Sequence, residues 1–195
     1  MNIIKVLVLF FCITVSSNTY THCADHKIFI QTMKQQVDNI FAKGNKDRKY
    51  IYSKLQEMIH DHVDLKGISR FVMGKHWTMA PKREKAIFLR EYEIYLTRLC
   101  TKIIYKYMND SEMTVMSTRV VDDNTCLVNT RFSYGNEEFT NVDFKITKDG
   151  NSFSISDVVM SGISIAINQR SQFNEKIDMH SITNVIEELK CSNSL

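Results

Sequence analysis

The stretch FTNVDFKITKDGNSFSISDVVM, residues 139–160, decides how the rest of the chain is read. Val142, Phe144 and Ile146 alternate with Asp143, Lys145 and Thr147, the period of two that sends successive side chains to opposite faces of a strand. Lys148-Asp149-Gly150-Asn151 then signals a hairpin, because Asp-Gly tolerates positive φ. Phe153 to Met160 resumes the extended pattern and stops at Gly162. Upstream, the same period starts at Glu112, where Met113, Val115 and Ser117 alternate with Thr114, Met116 and Thr118. Leu127 to Phe132 reads as a second strand, and Tyr134-Gly135-Asn136-Glu137 as its turn into the strand Phe139 to Thr147. Four strands in hairpin order make an antiparallel meander.

On either side the period lengthens to that of a helix. Ile28, Phe29, Met33, Val37, Ile40 and Phe41 form one stripe, with Gly44 placed to stop it; Ile51, Leu55, Met58, Ile59 and Val63 form another. Asp64 is placed to cap a short helix carrying Leu65, Ile68, Phe71 and Val72, which ends at Gly74. Pro81 suits a helix first turn, and Lys82 to Tyr107 follows as one long helix with Phe88, Tyr92, Tyr95, Leu96, Leu99, Ile103 and Tyr107 on its face. After the meander, Asn168 is expected to cap a helix with Phe173 and Ile177, and Ser181 a last one with Ile182, Val185, Ile186 and Leu189. The expected fold is α+β: a twisted antiparallel meander of about four strands wrapped by N-terminal and C-terminal helices in one compact domain.

With 195 residues, 44% of them hydrophobic, the chain is long enough for a sizeable core. A net charge of +3 with interleaved acids gives no phosphate-tracking stripe, so no nucleic-acid partner is expected. Lys5 ends a short basic start, and Val6 to Val15 is an apolar run of ten residues followed by Ser16, Ser17, Asn18 and Thr19. That run is shorter than the ~20 residues a membrane span needs, and its order is that of a secretory leader. Residues 1–17 are read as leader, with a cut possible as late as residue 24, and residues 18–195 as the mature domain. Cys23, Cys100, Cys126 and Cys191 remain, an even number suited to an oxidising compartment, and three pairings are open. Cys100 and Cys126, in an expected helix and strand, read equally well as small buried hydrophobes.

Three segments resemble the MlaC family, the toluene-tolerance auxiliary proteins of phospholipid transport systems. Phe71-Val72-Met73-Gly74, followed by Trp77, Ala80 and Arg83, is similar to its Val-Leu-Gly-x-x-Trp run and the helix start behind it. Phe88, Tyr92, Leu96 and Tyr105 match its Phe-x(3)-Phe and Leu-x-x-x-Tyr positions. Gly150, Phe153, Ile155, Asp157-Val158, Gly162-Ile163-Ser164 and Asn168-Gln169-Arg170-Ser171-Gln172-Phe173 follow its most specific pattern at matching spacing. Phe153 stands for Trp, Ser154 for a basic residue, Ser161 for an acid and Gln169 for an aromatic. The resemblance runs from Ile28 to Leu189. It implies a periplasmic, non-enzymatic carrier, read as a monomer, that shuttles phospholipid between an inner-membrane ABC transporter complex and an outer-membrane lipoprotein complex and maintains outer-membrane lipid asymmetry.

Each CH₂ of a lipid tail exposed to water costs ~0.8 kcal/mol, so two tails of roughly sixteen carbons demand on the order of 25 kcal/mol of compensating burial. The 10 Met, 11 Phe and 8 Tyr could supply deformable apolar walls, although a helix on a sheet needs such residues for its own core. Composition alone favours the packed core; the resemblance turns the weighting to a cavity. The lining expected from periodicity is Phe71, Phe88, Tyr92, Tyr95, Leu99, Ile103, Val128, Phe132, Phe144, Ile155 and Val158. Arg170 is expected to pair with Asp157, Gly162 to permit a tight bend, and Trp77 to join parts of the core.

Catalytic patterns are incomplete. Gly162-Ile163-Ser164-Ile165-Ala166 imitates a nucleophile elbow, with Asp178 and His180 behind it, but lacks the last Gly and the βαβ context. His60 and His62 lie two apart on a helix and point to opposite sides, so with Asp61 and Asp64 they read as a solvated face. His22, Cys23 and His26 could chelate only at a loose terminus. No metal, cofactor or catalytic residue is assigned. The alternative from another class is a small exported α+β-cone enzyme, an isomerase or hydrolase of apolar substrates, using Asp143 near Tyr134 and Arg131. A structural adaptor with a solid interior is the third reading.

Overall fold

A computed structural model of the protein describes residues 23–108, 110–134 and 138–194. The leader reading of residues 1–17 and the turn at residues 135–137 lie outside the described residues; at the edge of that turn the Tyr134 N–H donates to the Glu138 carbonyl (2.9 Å).

Helix α1 (Ala24–Gly44) buries Ile30, Met33 and Val37, a spacing of three and four. It runs through Gly44, and the left-handed residue that ends it is Asn45 (φ 40°). Gly44 serves a close approach instead: the Ile51 side chain fills the space a Cβ would need. Helix α2 (Arg48–His62) starts at Asp47, whose carboxylate accepts from the N–H groups of Lys49 and Tyr50 (3.0 and 3.1 Å). Asp64 caps α3 (Leu65–Met73) through the Gly67 N–H (2.9 Å), and Gly74 closes it at φ 56°. Asp64 also donates its own N–H to the Ile155 carbonyl (3.0 Å), pinning this junction to the sheet. A short α4 (His76–Met79), absent from the sequence reading, precedes Pro81, and α5 (Lys82–Tyr107) follows.

The strands β1 (Glu112–Asp122), β2 (Thr125–Ser133), β3 (Phe139–Asp149), β4 (Ser152–Met160) and β5 (Ile163–Ser164) form one antiparallel sheet in chain order. The first four are those expected; β5 adds two residues along β4. Asp149 faces Ser152, so Gly150 (φ 59°) and Asn151 are the two-residue loop that Asp-Gly announced. Val128, Thr130 and Phe132 of β2 and Val142, Phe144 and Ile146 of β3 are buried on one face. Asn129, Arg131, Asn141, Asp143 and Lys145 alternate onto the other.

Helix α6 (Ile165–Met179) corrects an expectation: its cap is Ser164, not Asn168, which lies within the helix. Ser164 Oγ accepts from the Ile167 N–H (3.0 Å) and donates to Asp157 (2.6 Å). Asp157 therefore fixes where the helix starts, a tertiary contact that local sequence does not display. Gly162 sits at φ 84° in the bend before it, a conformation costly for a side chain. Helix α7 (Ile182–Ser194) ends the described fold; the Ser181 hydroxyl accepts from the Asn184 N–H (3.3 Å).

Two apolar cores result. One joins α3, α5, α6 and α7 around Phe88, Tyr92, Phe173, Val72, Met73 and Val185. The other lies between α1, α2 and the buried face of the sheet, around Val37, Leu55, Val128, Phe132, Phe144 and Ile146. Of the three open cysteine pairings the fold takes Cys23–Cys126, which ties the start of α1 to β2; Cys100 and Cys191 are free. Cys126 is thus a bridge residue and not an unpaired hydrophobe, and Cys23 is not available to a metal. Among the described residues no helix is long and apolar enough to cross a membrane.

Candidate functional site: a hollow between two cores

Helix α5 packs on α2, α3 and α7, whereas the sheet is met mainly by α1, with smaller contributions from α2, α3 and α6. The long helix is thereby held off the strands by its own neighbours. A hollow of about 130 Å³ remains along the seam of the two cores. Such a volume is the scale on which a dry protein cavity holds a benzene-sized group.

Its walls come from every layer. Helix α5 presents Tyr92, Leu96, Cys100, Ile103, Ile104 and Tyr107, one stripe at spacings of three and four. Helix α1 presents Ile30, Met33, Lys34 and Val37; α2 and α3 present Met58, Ile59 and Ile68. The sheet contributes Met113, Phe132, Val142, Phe144, Ile155, Val158 and Met160, and α6 contributes Ile165, Ala166 and Gln169. Five methionines (Met33, Met58, Met108, Met113 and Met160) stand among them, and their unbranched thioethers adapt to irregular volumes.

Polar groups on this wall are few. Lys34 lays its stem along the hollow and carries its ammonium to Asp38 at the surface (2.5 Å). Asp157 is occupied by the start of α6, accepting from Ser164 Oγ and the N–H groups of Ala166 (3.1 Å) and Val158 (2.8 Å). Burial pushes the Cys100 thiol up to about 12, far from thiolate chemistry at neutral pH. The Tyr92 phenol, fully buried, is likewise raised, first by desolvation and then by Tyr95 and Cys100. Tyr92 Oη and Gln169 Oε1 are buried without a hydrogen-bond partner.

Several lining residues keep exposure: Ile103, Ile104, Tyr107 and Met108 towards the α5 terminus, Met113, Tyr134, Met160 and Ile165, and also Val63, Cys100, Asp157, Val158 and Gln169. Met113 pairs with Phe132, and Val142 with Met160, so these strand ends share one edge of the molecule. Tyr107 is the most exposed of the lining residues, at 40%.

Of the eleven residues expected from periodicity, Tyr92, Ile103, Phe132, Phe144, Ile155 and Val158 line the hollow. The other five lie elsewhere. Phe88 is fully buried in the helical core, stacked on Tyr92 (ring centroids 5.6 Å) and edge-on to Phe173 (6.0 Å). Tyr95 belongs to that same ring cluster. Val128 is fully buried in the sheet core, and Leu99 is half-buried off the lining. Phe71 is 40% exposed beneath the guanidinium of Arg170 (4.7 Å from the ring centroid). Arg170 therefore covers Phe71 and forms no ion pair with Asp157, whose oxygens are already taken. Trp77 packs half-buried on the helical core between Arg70 and Lys85 (5.4 Å each). The walls from α1 and the methionines of β1 and β4 were absent from the expected set.

The catalytic imitations resolve into structural roles. Ser164 is a cap bonded to Asp157, and Asp178 pairs with Lys75 (2.6 Å), which holds its carboxyl below the usual range. Asp143 alternates with Val142 and Phe144 and so faces away from the hollow. Among the described residues no three His, Cys, Asp or Glu side chains group to hold a metal.

Comparison with known proteins gives two findings. A family model described as MlaC protein matches residues 28–191. Among solved structures, a phospholipid-binding protein from Ralstonia solanacearum, in complex with a phospholipid, has a TM-score of 0.72 at 16% identity, covering 89% of this chain and 97% of that one. At that identity the likeness is one of fold. No curated protein sequence matches the chain.

Proposed function

Because the chain belongs to the MlaC family, we propose that it is a non-enzymatic phospholipid carrier that holds acyl tails in the hollow between α5 and the sheet. The observation that carries this reading is the wall itself. It is predominantly apolar, drawn from helices and strands alike, and reaches the surface at Tyr107. The Ralstonia solanacearum protein of similar fold is a phospholipid-binding protein in complex with a phospholipid, which supports the assignment.

Two tails withhold on the order of 25 kcal/mol from water, and 130 Å³ does not contain them. Loading therefore widens the seam: the two cores move apart, the five methionines reshape, and the headgroup stays at the mouth beside Tyr107 and Tyr134. A seam between separately packed cores opens without dismantling either one. Energy for transfer comes from a partner, because no phosphate-cradling glycine loop is present.

The carrier works as a monomer in the periplasm, taking phospholipid between an inner-membrane ABC transporter complex and an outer-membrane lipoprotein complex. Residues 1–17 act as the export leader. The Cys23–Cys126 bridge supports an oxidising compartment and favours the cut after Ser17, since one after Ala24 would remove Cys23.

The test is native mass spectrometry of the protein gently isolated from a Gram-negative host. A stoichiometric phospholipid is expected. A lipid-free protein that also takes none from vesicles would overturn the reading.

A further inference from the structure

Residues 70–85, RFVMGKHWTMAPKREK, run from the end of α3 through α4 into the first turn of α5. They hold five basic residues and one acid, a larger excess than the +3 of the whole chain. Arg70 and Lys85 each lie 5.4 Å from the centre of the Trp77 ring, and Arg170 of α6 adds its guanidinium over Phe71 (4.7 Å). Lys82 and Arg83 are exposed at the start of α5. Among the described residues none of these five cations is ion-paired. Asp178 is taken by Lys75 (2.6 Å), and Glu84 accepts from the Thr183 hydroxyl (3.0 Å).

The apolar side chains among the cations are not core. Met79 is 79% exposed, the most of any large hydrophobic among the described residues, and α4 buries none of its four residues. Fold stability does not explain the arrangement either. Lys82, Arg83 and Lys85 stand within the first four residues of α5, where the helix dipole disfavours positive charge. Cations around exposed aromatic and thioether groups suit a surface that is negative outside and apolar beneath. A folded acidic protein offers the charge without the apolar layer; a bilayer of anionic phospholipid offers both.

We propose that this corner of α3, α4 and α5, with Arg170, is a docking site for the surface of an anionic phospholipid bilayer. Phe71, Trp77 and Met79 enter the headgroup layer, and the five cations meet lipid phosphates. None of these residues lines the hollow. The inference therefore concerns how the protein sits on a membrane, whatever it carries.

Trp77 is the one tryptophan of the chain, so its fluorescence reads docking directly. The full protein is titrated with vesicles of phosphatidylglycerol and phosphatidylcholine in equal parts, and with phosphatidylcholine alone. Only the anionic vesicles should shift the emission to the blue and, with brominated acyl chains, quench it; the effect should fade as salt rises. Lys82→Ala with Arg83→Ala should weaken binding about twentyfold, since each basic residue near an anionic surface is worth roughly fivefold. Met79→Ser should weaken it severalfold. Neither variant should unfold at a lower temperature, because one removes charge from a helix N-terminus and the other alters an exposed side chain. Lys43→Ala with Lys49→Ala takes the same charge from around the α1–α2 turn, which Arg48 over Tyr105 places beside the other end of α5. That variant should bind as the unsubstituted protein does. Equal losses in the two double variants would overturn the proposal. Anionic vesicles that leave Trp77 emission unchanged would also overturn it, and leave the corner to an acidic protein. Neither result touches the carrier reading, which is decided by the lipid recovered per chain.

Discussion

The ring cluster around Phe88 and the hollow ending at Tyr107 lie on the same helix and are built from the same kinds of residue. One is close-packed and the other leaves a hollow. The difference lies in what faces α5. Over its N-terminal half α3, α6 and α7 close in, and Phe88, Tyr92, Tyr95 and Phe173 interlock ring on ring. Over its C-terminal half the facing surface is a sheet propped away by α1 and α2. Apolar side chains alone do not make a cavity; it needs supports that prevent collapse onto it.

The largest effect separating the two regions is expected from truncation. Phe88→Ala should lower the urea unfolding free energy by about 3–5 kcal/mol, as for a fully buried aromatic in a close-packed site. Ile103→Ala, on the hollow and partly exposed, should lose only about 1 kcal/mol, because the space beside it is already open. Equal losses would mean that the two halves of α5 are packed alike. Next comes the prop itself. Cys126→Ala unties α1 from β2 across a sequence separation of 103, and should cost about 2–5 kcal/mol, read as the unfolding difference between oxidised protein and variant. Asp64→Ala removes the α3 cap beside β4 and should cost about 1 kcal/mol by the same measurement. Smallest in stability is Val158→Trp. Filling a hollow should shift stability by no more than about 1 kcal/mol, where the same change in a filled core would cost 1–3 kcal/mol. Yet it should cut the phospholipid recovered per chain severalfold, and unchanged lipid content would remove Val158 from the site.

Much of the fold was legible because its signals are local. Asp64, Pro81, Gly74 and Asp149-Gly150 mark their boundaries through capping and turn chemistry within a few residues. The start of α6 was not, since Ser164 outcompetes Asn168 only through Asp157, a partner across the bend. The site was half legible for a related reason. Periodicity reports that a face of α5 is buried, not which neighbour buries it, so Phe88 and Ile103 look alike in sequence. Met33 and Val37 were read as a buried stripe of α1 without a sign that a hollow, not α2, lies beyond part of it. The spread of methionines over α1, α2, β1 and β4 was the available clue, because Met is favoured where volume must vary. Arg170 misled through charge: its guanidinium found an aromatic face in place of a carboxylate.

The account stands on acyl chain occupying the hollow and not the ring cluster. Nuclear Overhauser contacts between the methylenes of a bound, isotope-labelled phospholipid and protein methyl groups test this directly. The account predicts contacts to Met33, Ile103, Ile104 and Met160 on the hollow, and none to Val185, Ile186 or Leu189 in the helical core. Contacts confined to the helical core, or to exposed methyls such as Met79 and Met179, would contradict it.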